Sequence, residues 1–128
     1  MAIMETVAAI VFTVLTGIVI IFQGCLAAGV PWGAASMGGR YPGKYPPNMR
    51  VVAVLNMILL AFLCAIVLSE AGVMFAWLKS ISRVGIWFVV GFFVLATILN
   101  TITPSKIERI WAPVSFLSLV ASIIVATS

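Results

Sequence analysis

Four long apolar runs constrain this chain more than any other feature of its sequence. A helix needs about 20 mostly apolar residues, each rising 1.5 Å, to cross the hydrocarbon core of a bilayer. Four segments meet this requirement, at residues 3–28, 51–69, 84–100 and 107–126. Helices are favoured because backbone groups in lipid need hydrogen-bond partners within their own segment. The runs also lack the alternation of apolar and polar residues that is typical of strands in a membrane barrel. The sequence therefore predicts an all-α fold, an integral membrane four-helix transmembrane bundle forming one domain over residues 1–128.

The composition also indicates a lipid environment. Hydrophobic residues make up 64% of the 128 residues and charged residues only 8%, whereas soluble chains average about 45–50% and about 25%. The first run lacks the basic start of a signal peptide and exceeds its usual apolar length, so we expect it to remain as a helix.

The chain is poor in residues that carry chemistry. It contains no histidine and only three carboxylates, Glu5, Glu70 and Glu108. We therefore expect no catalytic residue, no metal site and no cofactor, because the commonest general base and metal ligand is missing. Cys25 and Cys64 lie at different depths in separate apolar runs, so we expect no disulfide between them.

The basic residues favour one side of the membrane. The first and third loops carry five basic residues and Glu108, whereas the opposite side carries two basic and two acidic residues. The positive-inside rule then predicts that loops one and three are cytoplasmic and that the termini lie outside, in a bacterial cytoplasmic membrane. The five basic residues are candidates for binding anionic lipid headgroups: Arg40, Lys44, Arg50, Lys106 and Arg109.

Two amide side chains lie at matching depths in the first two spans. Gln23 and Asn56 are each roughly 9 Å inside the boundary with the first loop, so they are able to meet. Each needs a partner, through either an interhelical hydrogen bond or a polar pocket under the first loop. Asn100, near the end of the third span, is the third pocket candidate. Pro113 is expected to lie inside the fourth helix, where its missing N–H causes either a kink or a protein-facing polar contact. The carbonyl of Arg109 that it leaves free is a natural partner for Asn100.

The segment 29–50 is much longer than a connection between antiparallel helices requires. It holds four of the six prolines and five of the ten glycines of the chain. Pro31 ends the first helix, and Trp32, Tyr41 and Tyr45 carry rings suited to the headgroup zone. These features predict an ordered lid that lies on the membrane.

The stretch "TPSKIERIW" predicts the start of the fourth helix. Ser105 and Glu108 have the spacing of a capping box, and Thr103 followed by Pro104 is an alternative start. Trp111 is expected to anchor the helix at the membrane interface.

Small residues recur on one face of the first helix, which either packs against neighbouring helices or forms a groove or dimer seam. They are Thr6, Ala9, Thr13, Gly17, Gly24 and Ala28.

The motifs "AAGVPWGAASMGG", "PGKYPPNMR" and "PSKIERIWAPV" resemble those of uncharacterised small four-span membrane proteins of bacteria. The resemblance spans most of the chain and implies the architecture without an activity. Small multidrug resistance transporters are similar in size, but their glutamate in the middle of the first helix is replaced here by Thr13, Val14 and Leu15. The "TTFSTF"-like motif of fluoride channels is also absent.

Three functions fit these observations. The first is a non-enzymatic accessory or lipid-interacting membrane protein, with membrane lipids, a homodimer or a larger membrane protein as partners and no nucleic acid. The alternative is a small transporter or channel that works as a dimer, with its pore along the small face of the first helix under the first loop. An intramembrane enzyme is the third. A polar cavity at the three amides favours transport, whereas a dry interior favours the accessory role.

Overall fold

The computed structural model describes residues 2–128, and within this range the chain is helical, with loops and no strand. The four α-helices are α1 (Ala2–Ala28), α2 (Pro47–Glu70), α3 (Lys79–Ile102) and α4 (Trp111–Ala126). Together with the short 3₁₀ turns that precede α3 and α4, all four are long and apolar enough to cross a membrane. The prediction of an all-α fold with four membrane-spanning helices is confirmed.

The helices close into a ring. The two most extensive contacts are those between α1 and α2 and between α3 and α4. The ring is completed by a smaller contact between α1 and α4 and by the smallest one, between α2 and α3. Leucine, isoleucine and valine side chains make up most of the centre, where the ring of Phe12 also meets that of Phe93 edge-on at 5.2 Å. Large apolar side chains such as Ile21 and Phe88 are exposed on the outside, as expected for a surface solvated by lipid.

Two helices begin earlier than the apolar runs indicate. α2 begins at Pro47 rather than near residue 51, because proline suits the first position of a helix. α3 begins at Lys79 rather than near residue 84. The Lys79 ammonium group donates to the Ser69 and Glu70 carbonyl oxygens at 3.4 and 3.1 Å, so it caps the carboxyl end of α2.

Pro113 lies in the first turn of α4 and not in the interior of the helix as expected. Residues Glu108–Ile110 form a separate 3₁₀ turn, and α4 begins only at Trp111. Pro113 is therefore the third residue of the helix, where a backbone N–H has no intrahelical partner in any case.

The small face of α1 contributes to packing within the chain. Ala9 is fully buried, and a Cβ added to Gly24 would lie 3.2 Å from the Met57 methyl group of α2. Gly17 has no neighbour within 4 Å of such a Cβ. The role of this face as a dimer seam stays a prediction.

Candidate functional site

A cavity of about 200 Å³ lies inside the bundle, at the end where loop one (residues 29–46) meets the start of α4. All four helices and the loop line it. Of its lining residues only Met37, in the loop, and Leu59, on α2, are exposed. The cavity has room for roughly seven water molecules at about 30 Å³ each, or for one small organic molecule.

The three amides singled out from the sequence line this one cavity. Gln23 lies on α1, Asn56 on α2 and Asn100 on α3. The Asn100 amide donates to the Ser115 hydroxyl of α4 at 2.7 Å, so the expected pairing with a carbonyl freed by Pro113 is wrong. All three amides therefore border the same cavity. In the described chain no two of them are hydrogen-bonded to each other.

One polar atom of a cavity-lining residue has no hydrogen-bond partner in the described chain. It is the side-chain carbonyl oxygen of Gln23, which is buried. A buried polar group without a hydrogen bond costs about 1–3 kcal/mol. The Gln23 amide is therefore suited to bind water or a polar solute inside the cavity.

Loop one covers the cavity and is attached to the start of α4. The backbone N–H of Gly38 donates to Glu108 Oε1 at 3.0 Å, and the Ser105 hydroxyl donates to the Ala34 carbonyl at 2.5 Å. The indole N–H of Trp111 donates to the Ala35 carbonyl at 3.0 Å. We call residues 29–46 the lid and these three hydrogen bonds its latch.

The lid has an ordered interior of its own. The Ser36 and Tyr45 hydroxyls are hydrogen-bonded, and the Gly33 N–H donates to the Gly43 carbonyl at 2.9 Å. Tyr45 is buried within the lid and not exposed at its surface. Burial, and secondly the nearby Glu108 charge, raises the pKa of Tyr45 above 10.0, although the Ser36 hydrogen bond opposes the shift.

Other lid residues lie at the surface. Pro31 and Trp32 are exposed, and Tyr41 is half-buried with its ring 5.9 Å from that of Tyr45. Pro31 and Trp32 also line a second, apolar groove of about 450 Å³ between α1 and the start of α4.

Glu108 has a different role from the one its spacing predicts. The Ser105 hydroxyl accepts from the Glu108 N–H at 3.4 Å, as in a capping box. The Glu108 carboxylate, however, accepts hydrogen bonds from Gly38 and from the Thr103 hydroxyl. It therefore joins the lid to the fourth helix instead of returning to Ser105.

The predicted headgroup-binding residues fall into two groups. Arg40, Lys44, Lys106 and Arg109 are exposed. Arg50 is half-buried, and its Nε donates to the Tyr45 carbonyl at 2.9 Å. Arg50 therefore holds the end of the lid against α2 and is not a free surface charge.

Sequence reasoning missed several residues of the cavity wall. Thr16 had a usable signal, because it precedes Gln23 by seven residues, or two helical turns, and so shares its face of α1. Ser115 and Ser36 had none, since nothing local distinguishes them from other serines. Trp111 and Glu108 were assigned to the interface and the helix cap, although both line the cavity.

No protein-family model, curated protein or solved structure matches this chain. In the described residues, no group of three or more His, Cys, Asp or Glu side chains is arranged to hold a metal ion. The wall of the cavity is mostly apolar, and the polar groups that it offers are amides, hydroxyls and one carboxylate.

Proposed function

We propose that this chain is a small transporter or channel that binds a small polar solute in the lidded cavity. One observation carries the proposal: amides from three helices line one cavity, and the buried Gln23 carbonyl oxygen among them has no hydrogen bond in the described chain. A bundle selected only for stability gains from filling such a space with apolar side chains. An unpaired polar group in the cavity destabilises the folded protein, and a solute that hydrogen-bonds to it offsets this cost.

Access to the cavity supports the same function. Two residues of the cavity wall are exposed: Met37 on the lid and Leu59 on α2. The latch and the hydrogen bond from Arg50 to Tyr45 hold the lid to the helices, and its buried residues Ala35 and Tyr45 pack against them. A local loss of these contacts opens the lid without unfolding the helices. We infer that the lid gates the entrance at the loop end, and the charge bias supports a cytoplasmic location for that end.

The cavity lies within one chain, so its wall is complete without a second subunit. The proposal thus differs from a pore along the small face of α1. We propose a binding and transport function rather than catalysis, because Glu108 is the only titratable acid or base that lines the cavity.

An accessory, lipid-interacting role is the second candidate. The observation that favours it is the set of four exposed basic residues in and beside the lid, which suits anionic headgroups at about 1 kcal/mol per residue. They are Arg40, Lys44, Lys106 and Arg109.

Flux through reconstituted vesicles tests the transport proposal. Proteoliposomes in iso-osmotic urea, glycerol or methylammonium chloride should swell faster than empty liposomes with at least one of these solutes. Gln23→Leu should slow that swelling about three- to tenfold, because it removes a hydrogen-bonding amide, whereas Ile18→Leu on the exposed face of α1 should not. Transport is contradicted if the proteoliposomes swell no faster than empty liposomes with every solute. It is also contradicted if Gln23→Leu folds but leaves the swelling rate unchanged.

A further inference from the structure

Both hydrogen bonds to the Glu108 side chain fall on the same oxygen. The Gly38 N–H and the Thr103 hydroxyl each donate to Oε1, and Oε2 accepts no hydrogen bond within residues 2–128. Glu108 is half-buried and lines the cavity. A residue of the cavity wall therefore carries one carboxylate oxygen that has no hydrogen bond in the described chain.

No cationic side chain balances this carboxylate. The residues that line the cavity include neither lysine nor arginine, and Glu108 forms no ion pair in the described chain. Its sequence neighbours Lys106 and Arg109 are exposed, and the Arg109 guanidinium donates to the Thr103 carbonyl at 3.1 Å. A negative charge beside an apolar interior favours a positive ligand and opposes an anion, because the charges are poorly screened there.

The rest of the wall suits a cation of organic type. The rings of Phe92, Phe93 and Trp111 contribute to the lining, and aromatic faces attract organic cations. The Gln23 carbonyl oxygen is an unpartnered acceptor for an N–H donor. At about 200 Å³ the cavity is several times the volume of a water molecule, about 30 Å³, so it is too large to enclose a bare metal ion tightly.

We propose that the cavity binds a small organic cation with N–H donors, such as a protonated amine or an amidinium. This inference rests on the proposed function and specifies the class of its solute. The cation pairs with Glu108 Oε2, donates to the Gln23 carbonyl and stacks against the aromatic wall.

Two matched series of compounds test the charge of the ligand. Acetamidinium, acetamide and acetate have nearly the same shape and differ in charge, as do benzamidinium, benzamide and benzoate. Binding to the full chain in nanodiscs is measured by ligand-dependent thermal stabilisation, and by Trp111 fluorescence in a variant whose Trp32, Trp77 and Trp87 are replaced by Phe. We expect a cation of at least one series to bind about tenfold or more tightly than its neutral and anionic partners.

Glu108→Gln is the decisive variant, since an amide keeps an oxygen for Gly38 and Thr103 while removing the charge. It should abolish the cation preference, so that the cationic and neutral compounds of a series bind with similar affinity. Glu70→Gln is the matched control, because Glu70 also accepts a serine hydroxyl, at 2.9 Å from Ser82, but does not line the cavity. It should leave the preference intact.

The outcomes separate this inference from the proposed function. Equal binding of neutral and cationic compounds, or a cation preference that survives Glu108→Gln, overturns the cationic class and leaves solute transport standing. No binding of any compound by the wild-type chain overturns this inference, while the swelling assay decides on transport independently.

Discussion

The Glu108 carboxylate accepts a 3.0 Å hydrogen bond from the backbone N–H of Gly38, a residue 70 positions earlier in the chain. This bond joins the lid to the 3₁₀ turn that precedes α4. Both lie at the end of the bundle where the cavity is found. Because Glu108 also lines the cavity, the same side chain contacts the lid and borders the space beneath it. Movement of the lid and binding of a solute in the cavity would therefore both involve Glu108.

Removing this carboxylate should loosen the lid. Glu108→Ala deletes the acceptor of one latch hydrogen bond, the one from Gly38, which we expect to lower the free energy of lid opening by about 1 kcal/mol. Hydrogen exchange at the Gly38 amide should accelerate about fivefold or more, while exchange within α2 stays unchanged. Glu108→Gln, which keeps an oxygen at the same place, should exchange at close to the wild-type rate. Equal protection in the alanine variant would show that the latch does not hold the lid.

Gly33 should be intolerant of any side chain. A Cβ at this position would overlap the Tyr41 carbonyl oxygen and lie 2.7 Å from that of Gly43. Both are backbone atoms that cannot turn aside, so Gly33→Ala should destabilise the lid by about 1–3 kcal/mol. Limited proteolysis should then cut within residues 29–46.

Gly91 provides the matched control for Gly33. It lies on the exposed face of α3, and a Cβ there has no neighbour within 4 Å. Gly91→Ala should therefore leave the lid resistant to protease and raise helix stability by up to about 1 kcal/mol. Similar cleavage of the two variants contradicts the packing described for Gly33.

Alkaline pH should weaken the lid through Tyr45. Its pKa is raised above 10.0, chiefly by burial, so the folded lid favours the protonated phenol. The contribution of this group to stability is fully present below pH 10 and is lost as pH rises from the unfolded pKa through the folded one. Ultraviolet titration of a Tyr41→Phe variant, in which Tyr45 is the remaining tyrosine, should give a pKa above that of free tyrosine. A pKa at or below 10 contradicts the buried placement.

The spans and the depth of two amides were predictable from the sequence, for a simple physical reason. Bilayer thickness sets the length of an apolar run, and the helical rise converts residue number into depth, so Gln23 and Asn56 were placed near one another. The start of α2 at Pro47 was less predictable, because the apolar run begins only at Val51.

The lid's contacts lay beyond sequence reasoning. Its hydrogen bonds to Glu108, Ser105 and Trp111 join residues more than 65 positions apart, and no local pattern encodes such a pairing. For the same reason Tyr45 was expected among lipid headgroups, although the Ser36 hydroxyl and the surrounding lid enclose it.

Thiol labelling at Asn56 tests the central claim, that a polar cavity accessible to solute lies within the bundle. In a background with Cys25→Ala and Cys64→Ala, Asn56→Cys should react with a hydrophilic, membrane-impermeant methanethiosulfonate reagent added at the lid side. Leu55→Cys, one residue away on α2 and 59% exposed on the apolar outer surface, should stay unreactive at nearly the same depth. If Asn56→Cys is as unreactive as Leu55→Cys in a folded protein, the cavity is closed to water and the account is wrong.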